Sequence, residues 1–387
     1  MSSSEPSPAA GWMAVATAAL DTGHTEGFDP PVSVIVLPTD RSEPLGLLGD
    51  GAEVWRRLAG PMPVPTGDLS PEQAVIARQL AASGLVALGV HHPSAVRTLE
   101  PPHLSSPLHE LVWALVARVA EERGIRCVFI KGPTLHDQGL RDREHSGDVD
   151  VWCDPRRWVE LIEALQECGW QREPDPWWGT PIGHSATLSP TGWGCQIDVH
   201  RRMPGMTFDD ESAFELVVAD TVAVRMAGIP VLVPSRTSHA VIAALHAARP
   251  EIGRPREADS PSRVAIDLLQ RLPDPVTACR RLGAVPALRH ELDVCRPGVT
   301  LVDDGVPRDW FWRAQPDRVR AYAAALRELD LADRFRVALR LVWPAPDVAR
   351  ESARRAGEET DRPLAARLRR LRRGLVPFLS GWLLRKG

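Results

Sequence analysis

Lysine is nearly absent from this chain. Only Lys131 and Lys386 are lysine, and the other basic residues, of 46 in all, are arginine. Tyrosine is reduced to Tyr322, while Trp occurs 13 times. The six cysteines, Cys127, Cys153, Cys168, Cys195, Cys279 and Cys295, form no C-x-x-C pair. That spacing gives no support to a zinc or thioredoxin-type site and is read as free thiols in a reducing compartment. No basic segment followed by an apolar run opens the chain, so no signal peptide is expected. No stretch is apolar for long enough to span a bilayer, and a cytoplasmic protein is expected. Acidic and basic residues nearly balance, for a net charge of -4. The balance gives no global drive toward nucleic acid or acidic lipid, and no specific nucleic-acid signal stands out.

With 387 residues, 44% hydrophobic and 25% charged, the chain has room for two or three globular domains. Residues 1–30 are rich in Ser, Pro, Gly and Ala and are read as loosely ordered. Val32–Leu37 is a strand candidate, and 45–58 reads as a short strand, a turn and a helix. Ser70-Pro71-Glu72 opens a helix with a cap, a proline and an early acid. Val75, Ile76, Leu80 and Leu85 are read as its apolar face. Residues 93–107 form a proline-dotted linker. Beyond it, Leu111, Val112, Leu115, Val116 and Val119 recur at helical spacing, and RCVFI (126–130) reads as a strand. Further strands are expected at 148–153, 185–188 and 195–200, with a helix striped by Trp158, Leu161, Ile162 and Leu165 between the first two. Strand, helix, strand, helix and paired strands make a small α/β pattern. From residue 233 the chain reads as helical, starting from a cap at Ser235 or Thr237. Arg362–Lys386, with eight basic and no acidic residues, reads as a basic amphipathic helix. Its bland role is a solvated face; its sharper one is contact with anionic lipid or a partner.

The chemistry-bearing residues fall in the α/β region. Lys131-Gly132 lies where a strand passes into a helix, and a compact cation beside glycine suits a phosphate. Sixteen residues later comes Gly147-Asp148-Val149-Asp150-Val151, and then Ile197-Asp198-Val199-His200. Alternation along a strand puts Asp148 and Asp150 on one face. Two carboxylates there repel unless a cation joins them, and hard oxygen ligands suit Mg²⁺ or Mn²⁺. Asp198 is the third candidate ligand; the competing reading is a solvated sheet face. His91-His92 has no partner at metal-ligand spacing. His200, His239 and His246 are read as structural before catalytic. Trp170, Trp177, Trp178 and Trp193 pack under a loop or stack a base.

VFIKGPTLHDQGL, SGDVDVWCDP, a helix ending in ECGW, and CQIDVHRRM together resemble the uncharacterised bacterial nucleotidyltransferases of the polymerase-β-like superfamily. The resemblance covers roughly residues 108–275. It implies an α/β (α+β) architecture: a small mixed-sheet nucleotidyltransferase core over 108–232, flanked by helices, and a helical C-terminal region over 233–387. By that resemblance Asp148, Asp150 and Asp198 are the catalytic, metal-binding residues. Lys131 and Gly132, with Arg143 or Arg141, are nucleotide-binding. The reaction implied is Mg²⁺-dependent transfer of a nucleoside monophosphate from an NTP to an acceptor not specified by the sequence. The chain departs from the superfamily at Gly132-Pro133, where Gly-Ser or Gly-Gly is usual and proline removes a backbone donor. Residues 31–92 resemble, more weakly, the small peptide-binding winged helix of the PqqD type, with Val34, Val36, Leu48, Trp55 and Leu80 as its core. That likeness implies a peptide partner and a place in modified-peptide biosynthesis. The rival reading is an inactive nucleotidyltransferase fold acting as a peptide-binding adaptor through 32–88.

Overall fold

The computed structural model describes residues 10–23, 32–144, 146–253, 261–302, 305–354, 356–358, 360, 362–369 and 371–372. The chain folds as two compact units. One comprises Met1–Arg172, Thr187–Arg202 and Asp209–Ile242; the other Glu173–Ala186, Met203–Phe208 and Ala243–Gly387.

The first unit opens with strands where a loose terminus is expected. Residues 10–23 carry β1 (Gly11–Ala14) and β2 (Ala18–Asp21), both largely buried. Next come β3 (Val34–Leu37), β4 (Leu45–Leu47), α1 (Gly49–Leu58), β5 (Val64–Pro65), α2 (Pro71–Ala82) and β6 (Val86–Gly89). Two small sheets result, ordered β5-β1-β6 and β2-β3-β4. Residues 10–23 conceal their strands because each is only four residues long and Ala14, Ala18 and Ala19 carry little strand preference. Helix α2 starts as the sequence implies: Ser70 and Gln73 form a reciprocal capping box with Pro71 in the first turn. Val34, Val36 and Trp55 are buried, and the Trp55 indole donates to the Leu85 carbonyl at 3.0 Å. Leu48 and Val75 depart from expectation, each 45% exposed. Leu48 directly precedes α1, where the chain turns outward. Val75 lies on the outer face of α2, whose one fully buried residue is Ala77.

The proline-dotted stretch 93–107 is not a boundary between separate bodies. Ala95 bridges Val15, Glu100 bridges Leu20, and both flanks lie in one unit.

The core then follows: α3 (Pro107–Glu122), β7 (Cys127–Phe129), α4 (Thr134–Asp137), β8 (Asp148–Cys153), α5 (Trp158–Glu167), β9 (Trp170–Arg172), β10 (Ser185–Pro190), β11 (Gln196–His200), α6 (Asp210–Val218), β12 (Thr221–Met226), β13 (Ile229–Pro234) and α7 (Arg236–Ala248). Five strands form a mixed sheet ordered β7-β8-β11-β10-β9. β7 runs antiparallel to β8, and β11 parallel to it. A parallel neighbour needs a crossover, and α5 lies in the chain that makes it. The β12–β13 hairpin adds to the expected elements; 221–234 alternates and turns at Ala227-Gly228.

Glu110 holds several of these pieces together. It is 1% exposed on α3 and accepts from the backbone N–H groups of His103, Leu104 and Ala227 at 2.6–2.9 Å. Burial pushes its carboxyl pKa up, and the three donors pull it back. Glu110→Ala strands three backbone donors, and the two that are buried, on Leu104 and Ala227, are each worth about 1–3 kcal/mol. A loss of about 3 kcal/mol or more in urea unfolding is expected; a loss under about 1 kcal/mol would show that water satisfies them instead.

The second unit contains α8 (Arg263–Gln270), α9 (Pro275–Arg281), α10 (Arg289–Cys295), α11 (Arg318–Arg327), α12 (Leu331–Val342) and α13 (Pro346–Arg354). Its Trp177 packs on Trp312 and Tyr322, with ring centroids 5.9 and 5.7 Å apart. No described helix is long and apolar enough to cross a membrane. The expected tail helix is described only at 362–369 and 371–372; its remainder lies outside the described residues.

Candidate functional site

The register of β8 against β11 builds the centre of the site. Asp198 pairs with Asp150, Gln196 with Asp148 and His200 with Trp152. Val149, Val151, Ile197 and Val199 alternate with these residues and are fully buried, which pins the pairing. Facing residues of parallel strands share a sheet face, so Asp150 and Asp198 converge. His200 Nε2 lies 2.9 Å from Asp150 Oδ1, and the Thr187 hydroxyl donates to Asp198 Oδ1 at 2.6 Å. One potential ligand atom from each of Asp150, Asp198 and His200 falls within 4.8 Å of the others. Asp148 lies on the same strand face but outside that trio, where its Oδ1 takes the Ser146 hydroxyl at 2.8 Å.

Lys131 enters from the end of β7. The Ile130 N–H donates to the Asp150 carbonyl at 3.0 Å, setting the next residue beside the carboxylate. Lys131 Nζ then reaches Asp150 Oδ1 at 2.5 Å. Both Lys131 (φ +63°) and Gly132 (φ +65°) are left-handed. That conformation is strained for lysine and free for glycine. A Cβ at Gly132 would stand 2.9 Å from Trp113 Cζ2, so no larger residue fits there. His239 on α7 holds the turn. Its Nε2 accepts from the Lys131 N–H at 2.7 Å, and Nδ1 lies 2.8 Å from Gln138 Oε1. The Gln138 amide in turn donates to the Pro234 carbonyl at 2.9 Å. Accepting at Nε2 requires a neutral ring with its proton on Nδ1. Burial agrees, holding the imidazole pKa down at about 3, with the Arg141 charge acting in the same direction.

This geometry corrects one expectation for the phosphate turn. The Lys131 N–H is already taken by His239, Pro133 has none to give, and α4 is only four residues long. So short a helix carries little dipole. The lysine side chain is therefore the main cationic feature of the turn.

Two opposed carboxylates set the electrostatics. Burial pushes the Asp150 carboxyl up, but the His200 hydrogen bond and the Lys131 charge outweigh it, and its pKa settles at about 2. Asp198 is raised, first by burial and also by the Asp150 charge, with His200 and Thr187 opposing. The ionised form is thus favoured at Asp150 and disfavoured at Asp198. The donor set fits a divalent cation: two carboxylates supply hard oxygens, and the imidazole shifts preference from Mg²⁺ toward ions such as Mn²⁺. Lys131 now places its single positive charge on the oxygen such an ion would share.

Of the two arginine candidates, Arg141 donates to the Arg143 and Glu144 carbonyls at 2.7 Å each and so shapes the loop before Asp148. Arg143 is exposed. His92 accepts from the Ser94 N–H within its own loop. Trp170 donates to the Cys195 carbonyl and packs edge-on against Trp193, which is a packing role. Burial lifts the Cys127 and Cys195 thiols to about 12, leaving no thiolate nucleophile there. Glu110, Gln138 and the turn-holding role of His239 carry no local sequence signal. Their partners lie far off in the chain.

Residues 109–257 match the family described as uncharacterised nucleotidyltransferase. The matched segment is less than half of the chain and contains Lys131, Asp148, Asp150, Asp198 and His200. The resemblance read from the Lys-Gly turn and the two Asp-bearing strands thus holds over the residues that build the site. No curated protein matches the chain. Similar solved structures include a lincomycin-bound lincosamide antibiotic adenylyltransferase, at 13% identity over 41% of this chain and 94% of that one, TM-score 0.27. Another is an antigenic nucleotidyltransferase-like protein from Paracoccidioides brasiliensis, at 14% identity over 50% and 90%, TM-score 0.31. A third is a nucleotidyltransferase toxin from Mycobacterium tuberculosis H37Rv, at 15% identity over 59% and 91%, TM-score 0.24.

Proposed function

We propose that the chain transfers a nucleoside monophosphate from an NTP to an acceptor hydroxyl or similar group, with a divalent cation at Asp150 and Asp198. The observation that carries this reading is the Asp150–Asp198 pairing with Lys131 against it, inside the segment that matches the family. Asp150, Asp198 and His200 would hold the ion, with Asp148 on the same face. The ion would neutralise phosphate charge. Asp198 would accept the acceptor's proton as the acceptor oxygen attacks the α-phosphorus and pyrophosphate leaves. Lys131, released from Asp150 when the ion binds, would turn to the β- and γ-phosphates. Arg141 or Arg143 would support charge developing in the transition state.

The Lys131–Asp150 ion pair also favours a second reading. A site whose carboxylate is already neutralised serves an inactive binding protein, with the segment 32–88 recruiting a peptide. Metal-dependent NTP binding separates the two. In the first reading, ATP, GTP, CTP or UTP with Mg²⁺ or Mn²⁺ raises the melting temperature, because a ligand at about 100 times its Kd adds about 2.7 kcal/mol. No shift with any NTP and metal leaves the binding-protein reading.

Lys131 variants sharpen the assignment. Lys131→Ala is expected to weaken NTP binding while leaving affinity for metal alone equal or higher, since the competing cation is gone. Lys131→Arg keeps the charge yet should still weaken NTP binding, because the planar fork does not replace a compact ammonium. Calorimetric titration of each variant with MnCl₂ and then with NTP reads both effects. Unaltered NTP affinity in both variants would remove Lys131 from the site.

A further inference from the structure

Helix α12 carries its broad apolar stripe on the wrong side for a core helix. Val337 is buried, and Leu331, Phe335, Leu339 and Val342 on the opposite side are 53–79% exposed. At helical spacing these four form one continuous strip over about three turns, roughly 17 Å long. Two exposed leucines, Leu364 and Leu368, repeat the pattern one turn apart on the helical segment 363–369, beyond α13. That helix is tied to the end of α12. Arg367 stacks over Trp343 with its guanidinium carbon 4.8 Å from the ring centroid, and its Nε donates to the Pro344 carbonyl at 2.8 Å. Exposed apolar strips of this size mark a docking surface rather than ordinary surface scatter.

The charge around the strip identifies what it docks on. Residues 318–387 contain 17 basic and eight acidic side chains, in a chain whose total is -4. Positive charge is therefore concentrated in the last fifth of the molecule. Arg336, Arg350, Arg354, Arg362, Arg369 and Arg372 are all exposed. The acidic residues of α12 are used locally: Asp330 caps the helix, and Asp333 accepts from Arg336 at 2.7 Å. A second copy of this face would bring like charges together and is disfavoured. Leu, Phe and Val on an outward strip, in a segment rich in exposed arginine, suit an interface that is anionic at its surface and apolar beneath.

We propose that the outer face of α12, with Leu364, Leu368 and the exposed arginines of the segment 336–372, binds anionic phospholipid membranes peripherally. The inference does not depend on the catalytic reading. The full chain should co-sediment with vesicles containing phosphatidylglycerol and stay in solution with vesicles of phosphatidylcholine alone. Raising salt from about 0.05 M to about 0.5 M should weaken binding at least tenfold, because exposed charges are then screened. Phe335→Glu with Leu339→Glu should reduce vesicle binding about tenfold or more, since both the apolar contact and the charge balance are lost. Both side chains point outward, so the melting temperature should not move. Failure of the parent to bind anionic vesicles, or unchanged binding by the double variant, overturns the proposal. So does a concentration-dependent dimer, seen by light scattering, that the double variant abolishes; that result would assign the face to a second copy.

Discussion

Asp150→Asn is expected to abolish the metal-dependent stabilisation by NTP, and Asp148→Asn to weaken it only partially. Asp150 is the hub of the site: buried, held ionised at about 2, and shared by Lys131 and His200 on one oxygen. The amide removes the charge that a cation needs and also leaves Lys131 facing a neutral group. Breaking a buried pair from one side costs about 3–5 kcal/mol when the other charge stays trapped. Lys131 is 12% exposed and can swing outward, so a loss nearer the lower end is expected in urea unfolding. Asp148 is partly exposed and tied to Ser146, so its removal should leave the fold's stability nearly unchanged. Thermal shifts with MnCl₂ and NTP would rank the variants. Equal loss in both would return Asp148 to equal standing as a ligand, and a full response in Asp150→Asn would eliminate the metal site.

The second large effect is on pH. His239 holds the Lys131–Gly132 turn only as a neutral ring, with its pKa lowered to about 3 from an ordinary 6.5. The unfolded chain therefore binds a proton near pH 6.5 that the folded chain refuses until about pH 3. Stability is fully present above 6.5 and is lost as pH falls toward 3, at about 1.4 kcal/mol per pH unit, or about 5 kcal/mol in all. Between pH 7 and pH 5 the parent should lose about 2 kcal/mol from this residue. The corresponding loss from Asp150 comes only below about pH 4, as that carboxyl is protonated. His239→Gln removes the titration. It should be less stable than the parent at pH 7, and the gap should narrow by about 2 kcal/mol at pH 5. Urea unfolding at both pH values measures this; parallel pH dependence in parent and variant would show that the ring is protonated in the fold or accessible to water.

Much of the site is written locally. Asp148, Asp150, Asp198 and His200 alternate with Val149, Val151, Ile197 and Val199, and a period of two between buried residues is enough to place them on one sheet face. Lys131 stands out because the chain otherwise uses arginine. The cap of α2 and the start of α3 also follow from neighbouring residues, since capping acts over three positions. The N-terminal strands β1 and β2 left no such mark, because four residues each are too few to show a period.

Local sequence thus determined which residues can carry chemistry, which face of each strand they occupy and that an α/β core surrounds them. Tertiary structure decided how they are used. The parallel register of β11 on β8 chose Asp198 as the partner of Asp150. Packing of α7 brought His239 to the Lys131 N–H from 108 positions away, and so consumed the donor that a phosphate turn would offer. The buried carboxylate of Glu110 looks, in sequence, like any charge on a helix; only its three backbone donors make it internal. The apolar stripe of α12 was readable as a stripe, but the direction it faces was not. Amphipathicity fixes the angle between two faces of a helix, and only the neighbours packed against it decide which face meets the interior.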